Sequence, residues 1–196
     1  MIKRLFDIVS SVIGLILFSP FFVGISILIL VTSKGGIFYR QTRVGKNQEE
    51  FKLFKFRTMK PGSDKAGQIT VGNNDGRITG IGKVLRKLKL DEIPQLLNVI
   101  KGDMSIVGPR PEVPKYVKLY SKQQLKVLSV RPGLTDLASI EFINENELLG
   151  KSENPEEEYV NEIMPKKLLL NSQYIENQSF FGDIWLIFKT FGKIIK

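Results

Sequence analysis

An aspartate and a glutamate stand side by side at Asp91–Glu92, in a sequence that has neither histidine nor cysteine. Histidine is the commonest general base and cysteine a frequent nucleophile, so acid–base or nucleophilic chemistry must rest on carboxylates, lysines or hydroxyls. An adjacent carboxylate pair could attack a substrate, accept a proton or bind a hard cation such as Mg²⁺. The pair could equally be structural, because Asp91 also suits the N-cap of a helix that begins near Pro94.

Two arginines are held in stiff backbone on the C-terminal side of this pair. Arg110 lies between Pro109 and Pro111, and Arg131 precedes Pro132–Gly133. A guanidinium on a rigid backbone suits bidentate binding of phosphate, although either arginine could instead form a structural ion pair. Rigid arginines together with an acidic pair indicate a protein that handles phosphate groups.

Residues 8–31 form an uncharged, mostly apolar segment of 24 residues, long enough to cross a bilayer at about 20 residues per crossing. Ser19–Pro20 divides it into Ile8–Phe18 and Phe21–Val31, and each half would reach only about halfway through the hydrocarbon. Proline kinks or breaks a helix, and the Ser19 hydroxyl could satisfy backbone groups that it frees. Positive residues flank both ends, which favours two cytoplasmic ends. Hydropathy alone would favour a kinked spanning helix, because proline is tolerated in such helices. Together with the flanking charge it leaves a kinked spanning helix and a re-entrant hairpin both open.

The formal net charge of +9 is concentrated in the N-terminal part of the chain. Residues 1–110 carry 18 Lys and Arg against 8 Asp and Glu, whereas residues 111–196 carry 11 against 12. Positive charge beside a membrane-like segment indicates a phosphate-rich partner such as anionic lipid, a nucleotide or nucleic acid. Simple solubility is the alternative explanation. The length of 196 residues suits one modest core.

The rest of the sequence predicts an α+β fold that is mainly helical, with a few short strands. Phe38–Arg40 and Phe51–Phe56 have the aromatic, partly alternating pattern of strands around a turn at Gly45–Asn47. Helical spacing follows at Ile81–Leu90 and at Gln95–Ile100, so the acidic pair would lie at a helix junction.

Four further segments have distinct patterns. Residues 60–80 are rich in Gly, Asn and Asp and predict a loop, and residues 101–114 predict a rigid, non-helical segment. The acidic residues 152–162 predict the start of a solvated helix. Phe180–Lys196 has apolar residues at spacings of three to four with interspersed lysines, which predicts an amphipathic helix in the membrane interface. A helix packed on the protein's own core is the alternative for this tail.

Six motifs together point to one family. They are KRLFD at 3–7, FSP at 18–20, FYRQTRVG at 38–45, FKFRTM at 54–59, LRKLKLDEIPQLLNVIKGDMSIVGPRP at 85–111 and RPGLTD at 131–136. With these motifs the chain resembles the monotopic phosphoglycosyl transferases, the bacterial sugar transferase family, over nearly its whole length. The run at 85–111 is the most specific part of the resemblance.

The resemblance implies a membrane-embedded architecture. Residues 1–34 would form a re-entrant hairpin that is broken at Ser19–Pro20, with both ends in the cytoplasm. Residues 35–196 would form a small catalytic domain with short strands and amphipathic interfacial helices. This domain would lie on the cytoplasmic face of the bacterial inner membrane.

The resemblance also implies a reaction. Asp91 would attack the β-phosphorus of a UDP-sugar and release UMP, and the phosphosugar-aspartyl intermediate would pass its phosphosugar to undecaprenyl phosphate. Glu92 would assist, and Mg²⁺ would bind at Asp91. Arg110 and Arg131 would contact phosphate at the family's positions. Lys55, Arg57 and Arg86 are further candidates for substrate binding.

Some features stay open. Asp136–Leu137 and Ala138–Ser139 depart from the glycine and large apolar residue that many members have there, so the donor sugar is undetermined. A non-catalytic membrane-surface scaffold that binds anionic lipid or nucleic acid is the alternative function, although acidic residues would weaken its hold on phosphate. A membrane-spanning anchor with a hydrolase domain is another. The enzyme hypothesis expects no nucleic-acid partner and leaves homo-oligomer formation open.

Overall fold

The computed structural model describes residues 2–63, 67, 69 and 75–194. Residues 64–66, 68 and 70–74 of the predicted loop and residues 195–196 of the predicted last helix lie outside these. The described helices are α1 Ile2–Leu17, α2 Ser19–Thr32, α3 Gly80–Lys87, α4 Gln95–Lys101, α5 Pro114–Val117, α6 Leu137–Glu141, α7 Glu145–Gly150, α8 Pro155–Glu158, α9 Met164–Glu176 and α10 Phe180–Ile194. The described strands are β1 Phe38–Val44, β2 Glu50–Phe56, β3 Ser105–Val107 and β4 Gly133–Thr135, in the pairs β1–β2 and β3–β4. The expectation of a mainly helical α+β fold is confirmed.

α1 and α2 meet at Phe18, and their axes are bent by 62°. Pro20 has no N–H to donate to the carbonyl of Ile16, and the Ser19 hydroxyl donates to that carbonyl instead at 2.8 Å. In the described part of the chain no single helix is long and apolar enough to cross a membrane, whereas the bent pair together meets that criterion. The predicted break is confirmed, and its re-entrant course through a membrane stays a prediction.

The first turns of α1 are fastened to the rest of the protein by the charged residues of the KRLFD motif. Lys3 pairs with Asp183 of α10 at 2.5 Å, and the Arg4 guanidinium donates to carbonyl groups at the C-terminal end of α4. Asp7 is buried and accepts a hydrogen bond from the Ser105 hydroxyl at 2.8 Å. These contacts explain why the first helix begins at residue 2 rather than at the apolar boundary near residue 8.

β1 and β2 form an antiparallel hairpin, with Phe38 opposite Phe56 and Val44 opposite Glu50. Both predicted strands are confirmed, and both are longer than their aromatic cores. Buried Asn98 of α4 joins this hairpin, since its side chain accepts from a backbone N–H of β2 at 2.9 Å and donates to a β2 carbonyl at 2.8 Å. The helix that follows the acidic pair is thereby held against the hairpin.

The segment 101–114 is not wholly irregular, because it contains β3, which pairs in parallel with β4. Gly108, directly after β3, meets Gly133, the first residue of β4, and a Cβ on Gly133 would lie 2.1 Å from the Gly108 backbone nitrogen. Only glycine permits this approach of two backbones. Three-residue strands are too short to show an alternating pattern, so the sequence did not predict this sheet.

The predicted amphipathic tail forms α10, and its two faces differ sharply. Leu186 and Asp183 are buried against the protein, whereas Phe181, Trp185 and Phe188 are exposed, Phe181 by 81%. The helix therefore packs on the core along one side and presents an aromatic face on the other. Packing on the protein's own core is confirmed for one side, and contact of the aromatic face with the membrane interface stays a prediction.

The acidic segment 152–162 begins a helix, as predicted. Asn154 caps α8, and Glu156, Glu157 and Glu158 fill its first turn. A single π-helical turn, Tyr159–Ile163, then connects α8 to α9 and carries buried residues into the core.

Candidate active site

Asp91 and Glu92 lie in a short 3-10 turn, Leu90–Glu92, between α3 and α4. Lys89 precedes the turn in the left-handed conformation, with φ 56°. Pro94 occupies the N-cap position of α4, and no side chain caps this helix. The alternative that Asp91 is the N-cap is therefore wrong, because the aspartate lies upstream of the capping position inside a separate turn.

Glu92 is clamped between two cations. Its carboxylate accepts from Lys55 Nζ at 2.9 Å and from both terminal nitrogens of Arg110, one of them at 3.3 Å. Burial alone would raise the pKa of Glu92, but Arg110 and Lys55 outweigh it and hold that pKa well below its usual range. Glu92 is therefore a fixed negative charge that orients the two cations.

Asp91 has the opposite environment, although it is the adjacent residue. It is only 5% exposed, and none of the described side chains donates a hydrogen bond to its carboxylate. Burial raises the pKa of Asp91, and the positive charges of Lys55 and Arg86 offset this only in part. A carboxylate that is poorly solvated and not bound by donors is a stronger base and a stronger nucleophile than a clamped one.

Asp136 holds Arg110 in place, a role that the sequence did not reveal. The Asp136 carboxylate accepts from the Arg110 backbone N–H at 3.0 Å and from the Ser139 backbone N–H at 2.6 Å. It therefore caps α6 and fixes the segment between the two prolines at the same time. An aspartate directly before the apolar residues Leu137 and Ala138 was the available signal for the cap, but its link to Arg110 depends on the β3–β4 contact.

A cavity of about 280 Å³ opens beside the acidic pair. Its charged lining is mostly basic, and it brings together five of the residues predicted from the sequence. These are Lys55, Arg86, Asp91, Glu92 and Arg110. The cavity thus combines several fixed cations with one carboxylate, Asp91, that is not held by an ion pair. Fixed cations of this kind can bind the two phosphates of a diphosphate ester while the carboxylate stays available to react.

A second cavity of about 150 Å³ shares Arg43, Lys55 and Arg86 with the first. Arg57 also lines it, but the Arg57 guanidinium donates to the carbonyls of Gly36 and Phe38 at 2.9 and 3.0 Å. Arg57 therefore connects the chain after α2 to β1 in addition to bordering a basic cavity. Its predicted contact with substrate stays a prediction.

Arg131 is not brought to this site. It is exposed, it does not line either cavity, and its Nε donates to the carbonyl of Gly102 at 2.9 Å. The arginine thereby supports the chain after α4. Ser19 and Pro20 likewise lie in the bend between α1 and α2 rather than at the cavity.

Glu112 is a half-buried residue with a second set of contacts that the sequence did not indicate. Its carboxylate accepts from Arg43 at 3.2 Å, from the Val113 backbone N–H at 2.7 Å and from the Tyr159 hydroxyl. Burial raises the pKa of Tyr159, and the Glu112 charge raises it further. This network ties β1, the proline-rich segment and the π-helical turn together around the cavity.

Asp91 is the carboxylate best placed to contribute to a metal site. Within residues 2–63, 67, 69 and 75–194 no group of three or more Asp, Glu, His or Cys is arranged to hold a metal ion. Mg²⁺ commonly takes one or two protein carboxylates and completes its shell with water and substrate phosphate oxygens. Asp91 fits that mode as a single oxygen ligand, because its carboxylate is not engaged by a donor.

Comparison with known proteins agrees with a site built for phosphate. The model of the bacterial sugar transferase family matches residues 1–196. Exopolysaccharide production protein ExoY of Rhizobium meliloti is 37% identical over 205 residues, which cover 97% of this chain and 84% of that protein.

Two further relatives have names that describe a reaction. The UDP-N-acetylgalactosamine-undecaprenyl-phosphate N-acetylgalactosaminephosphotransferase of Aeromonas hydrophila is 35% identical, over 99% of this chain and 44% of that protein. The UDP-glucose:undecaprenyl-phosphate glucose-1-phosphate transferase of Caulobacter vibrioides is 32% identical, over 98% of this chain and 69% of that protein.

The cavity surrounds a buried carboxylate with several basic side chains, an arrangement suited to phosphate groups. The match over the whole chain then shows that the protein belongs to the bacterial sugar transferase family and is an enzyme of the phosphoglycosyl transferase class.

Proposed function

We propose that this enzyme transfers a phosphosugar from a UDP-sugar to undecaprenyl phosphate and releases UMP. The relatives from Aeromonas and Caulobacter are named for undecaprenyl phosphate as acceptor and for UDP-sugars as donors, and their similarity covers nearly all of this chain. Such a transfer would be the first membrane-bound step in assembling a glycan.

The observation that carries the proposal is the contrast within the acidic pair. Asp91 is buried and receives no hydrogen bond from the side chains that the structure describes, whereas its neighbour Glu92 holds Lys55 and Arg110 at the same cavity. A nucleophile must keep its lone pairs available, whereas the groups that bind phosphate must be rigid. Asp91 meets the first requirement, and Glu92 meets the second indirectly by holding Lys55 and Arg110 rigid.

The reaction would proceed in two displacements. A carboxylate oxygen of Asp91 bonds to the β-phosphorus of the UDP-sugar, and the bond from that phosphorus to the bridging oxygen breaks. UMP leaves with that oxygen and its electron pair. A phosphate oxygen of undecaprenyl phosphate then attacks the same phosphorus, and the bond to Asp91 breaks, which restores the carboxylate and yields a diphosphate-linked sugar lipid.

The surrounding cations would stabilise the charge that develops on the phosphoryl oxygens. Arg110 presents a guanidinium that is oriented by Glu92 and by prolines on both sides, and Lys55 and Arg86 add positive charge from β2 and α3. Asp91 would hold Mg²⁺ together with the donor diphosphate. When bound, this ion would neutralise negative charge on the leaving group.

The proposed location is the cytoplasmic face of the bacterial inner membrane. The exposed face of α10 carries four aromatic residues, and α1 and α2 expose many large apolar side chains. Lys189 lies over the Trp185 ring at 4.6 Å, so a cation accompanies the aromatic face. Such a surface would hold the catalytic domain at the level where a lipid phosphate and a soluble nucleotide meet.

The decisive experiment separates the two displacements. The purified enzyme is mixed with a UDP-sugar and Mg²⁺ in the absence of a lipid acceptor, and UMP and the intact protein mass are measured. We expect a burst of UMP that approaches one equivalent of enzyme and a mass increase equal to one phosphosugar, mapped to Asp91. Addition of undecaprenyl phosphate should remove the added mass and restart UMP release.

Glu49→Gln is the control for the loss of a carboxylate elsewhere, because Glu49 is exposed. This variant should give the same burst of UMP as the wild type. UMP release that depends on the acceptor from the first turnover, with no change in protein mass, would show direct transfer instead. Salt-sensitive binding to anionic vesicles with no UMP release from any UDP-sugar would favour the scaffold alternative.

A further inference from the structure

A second group of polar residues lines the cavity and takes no part in the proposed phosphoryl chemistry. These residues come from α6, α7 and α9, whereas the phosphate-binding cations come mainly from β2, α3 and the proline-rich segment. They are Ser139, Glu145, Lys167 and Asn171. Glu145 and Lys167 pair with each other at 2.7 Å, so their charges largely cancel.

Two of these residues keep buried polar atoms without partners. Asn171 is only 4% exposed, and neither its Oδ1 nor the Ser139 Oγ has a hydrogen-bond partner among the described residues. An unpaired buried amide or hydroxyl costs about 1–3 kcal/mol, so an apolar residue would stabilise the fold better at these positions. Both residues line the cavity, so on binding a ligand neither atom would give up a hydrogen bond to a described residue.

The local helix geometry explains how Asn171 comes to the cavity. The π-helical turn Tyr159–Ile163 adds a residue to the turn and shifts the face of the helix that follows. Tyr159, Met164, Leu168 and Asn171 consequently all line the cavity. π-Helical turns are frequent at functional sites, and this one sets the five-residue step from Tyr159 to Met164, after which Leu168 and Asn171 follow at regular α-helical spacing.

The chemistry of the donor connects this group to the reaction. In a UDP-sugar the sugar is bonded directly to the β-phosphate, the group that Asp91 would attack. A cavity that holds the attacked phosphorus must therefore also accommodate the sugar. A sugar presents hydroxyl or acetamido substituents and weakly polar ring faces, which neutral amides, hydroxyls and residues such as Phe142 and Ile143 can match, and both of these also line the cavity.

We propose that Ser139, Asn171 and the Glu145–Lys167 pair form the donor-sugar subsite, and that Asn171 and Ser139 determine which sugar is accepted. The inference rests on the proposed function and extends it to the choice of substrate. A buried amide that pairs only with the correct sugar discriminates strongly, because a sugar that lacks the matching group leaves the amide unsatisfied.

The test compares Asn171→Leu and Ser139→Ala with the wild type on UDP-glucose, UDP-galactose, UDP-N-acetylglucosamine and UDP-N-acetylgalactosamine. For the preferred sugar we expect kcat/KM to fall by about 10- to 100-fold. The fall should be smaller for the other sugars, so that the preference of the enzyme for one sugar decreases. Inhibition by UMP should not change, because UMP carries no sugar at this position. The melting temperature of Asn171→Leu should stay the same or rise.

Gln173→Leu supplies the matched control, since it makes a similar change at an exposed position of α9 and should retain the wild-type selectivity. Ser139→Ala removes a single atom and keeps the test informative if Asn171→Leu folds poorly. An unchanged ranking of sugars in both variants, with UMP release intact, would overturn the subsite and leave the proposed function standing.

A binding measurement separates the two proposals further. The wild type should be stabilised against heat more by its preferred UDP-sugar than by UDP, and Asn171→Leu should lose this difference while keeping the shift with UDP. If no UDP-sugar releases UMP, the proposed reaction is contradicted. An equal thermal shift of the wild type with all four UDP-sugars would contradict the proposed subsite.

Discussion

The cavity and the apolar surface of this protein depend on different kinds of interaction. In the cavity Glu92, Lys55 and Arg110 are held by individual bonds, whereas the Asp91 carboxylate accepts none from the side chains of the described residues. On the surface, α1, α2 and α10 expose large apolar side chains over a wide area. Ion pairs and nucleophiles depend on geometry, whereas burial of apolar area adds up gradually. Single substitutions should therefore abolish functions of the cavity but only weaken those of the surface.

Replacement of the unclamped carboxylate should have the largest effect. We expect Asp91→Asn to lower kcat by at least about 10³-fold, because an amide cannot form the phosphosugar-aspartyl bond. The melting temperature should nevertheless stay the same or rise, because burial raises the pKa of Asp91 and makes its charged form unfavourable in the folded protein. UMP release and thermal unfolding measure the two effects, and turnover at the wild-type rate would show that Asp91 is not the nucleophile.

Glu92→Gln should affect both activity and stability in the same direction. Lys55 and Arg110 would lose their shared carboxylate, and we expect kcat/KM to fall by about 10²-fold and the unfolding free energy by about 1–3 kcal/mol. The pKa of Glu92 is lowered in the folded state, so its stabilisation is present at neutral pH and is lost as the pH falls through that lowered pKa. The stability difference from the wild type should thus shrink in acid.

Denaturant titrations of the two proteins at neutral and acidic pH would measure this difference. Glu153→Gln, at an exposed position, should show no such difference at either pH. A melting temperature that rises in Glu92→Gln, as it should in Asp91→Asn, would contradict the contrast within the pair.

Arg110→Lys should have an intermediate effect. A lysine keeps the charge but cannot form two parallel bonds to Glu92 or to a phosphate, so we expect kcat/KM to fall by about 10-fold. Arg131→Lys provides the comparison, because Arg131 lies outside both cavities and should give a smaller loss. Steady-state kinetics with a UDP-sugar would decide this. Equal losses would support the substrate contact that the family resemblance implies for Arg131.

The sequence predicted the parts of the fold that depend on local pattern. The Ser19–Pro20 break, the β1–β2 hairpin and the helices on either side of the acidic pair are encoded by proline, by alternating aromatic residues and by helical spacing. The roles of Asp136, Glu112 and Asn171 were not predictable, because each depends on contacts between segments that are distant in sequence.

The two arginines show this limit most clearly. Arg110 and Arg131 have the same local context of adjacent proline, which left phosphate binding and a structural ion pair open for both, and the family resemblance implied phosphate contact for both. The β3–β4 contact directs Arg110 toward Glu92, while Arg131 donates to the Gly102 carbonyl. Local sequence predicts that an arginine is rigid, and only the tertiary structure determines what that rigid side chain contacts.

The smallest effects on catalysis should come from the apolar surface. Trp185 is the only tryptophan in the chain and is 55% exposed, so its fluorescence reports on this face alone. We expect its emission to shift to shorter wavelength when vesicles of anionic lipid are added, because the indole would leave water. Phe188→Ser should weaken vesicle binding by about 10-fold, whereas Phe188→Leu should largely retain it. With detergent-solubilised acceptor, both variants should keep kcat, since Phe188 does not line the cavity. A Phe188→Ser variant that loses kcat but binds vesicles normally would mean that this surface supports the catalytic geometry rather than the membrane contact.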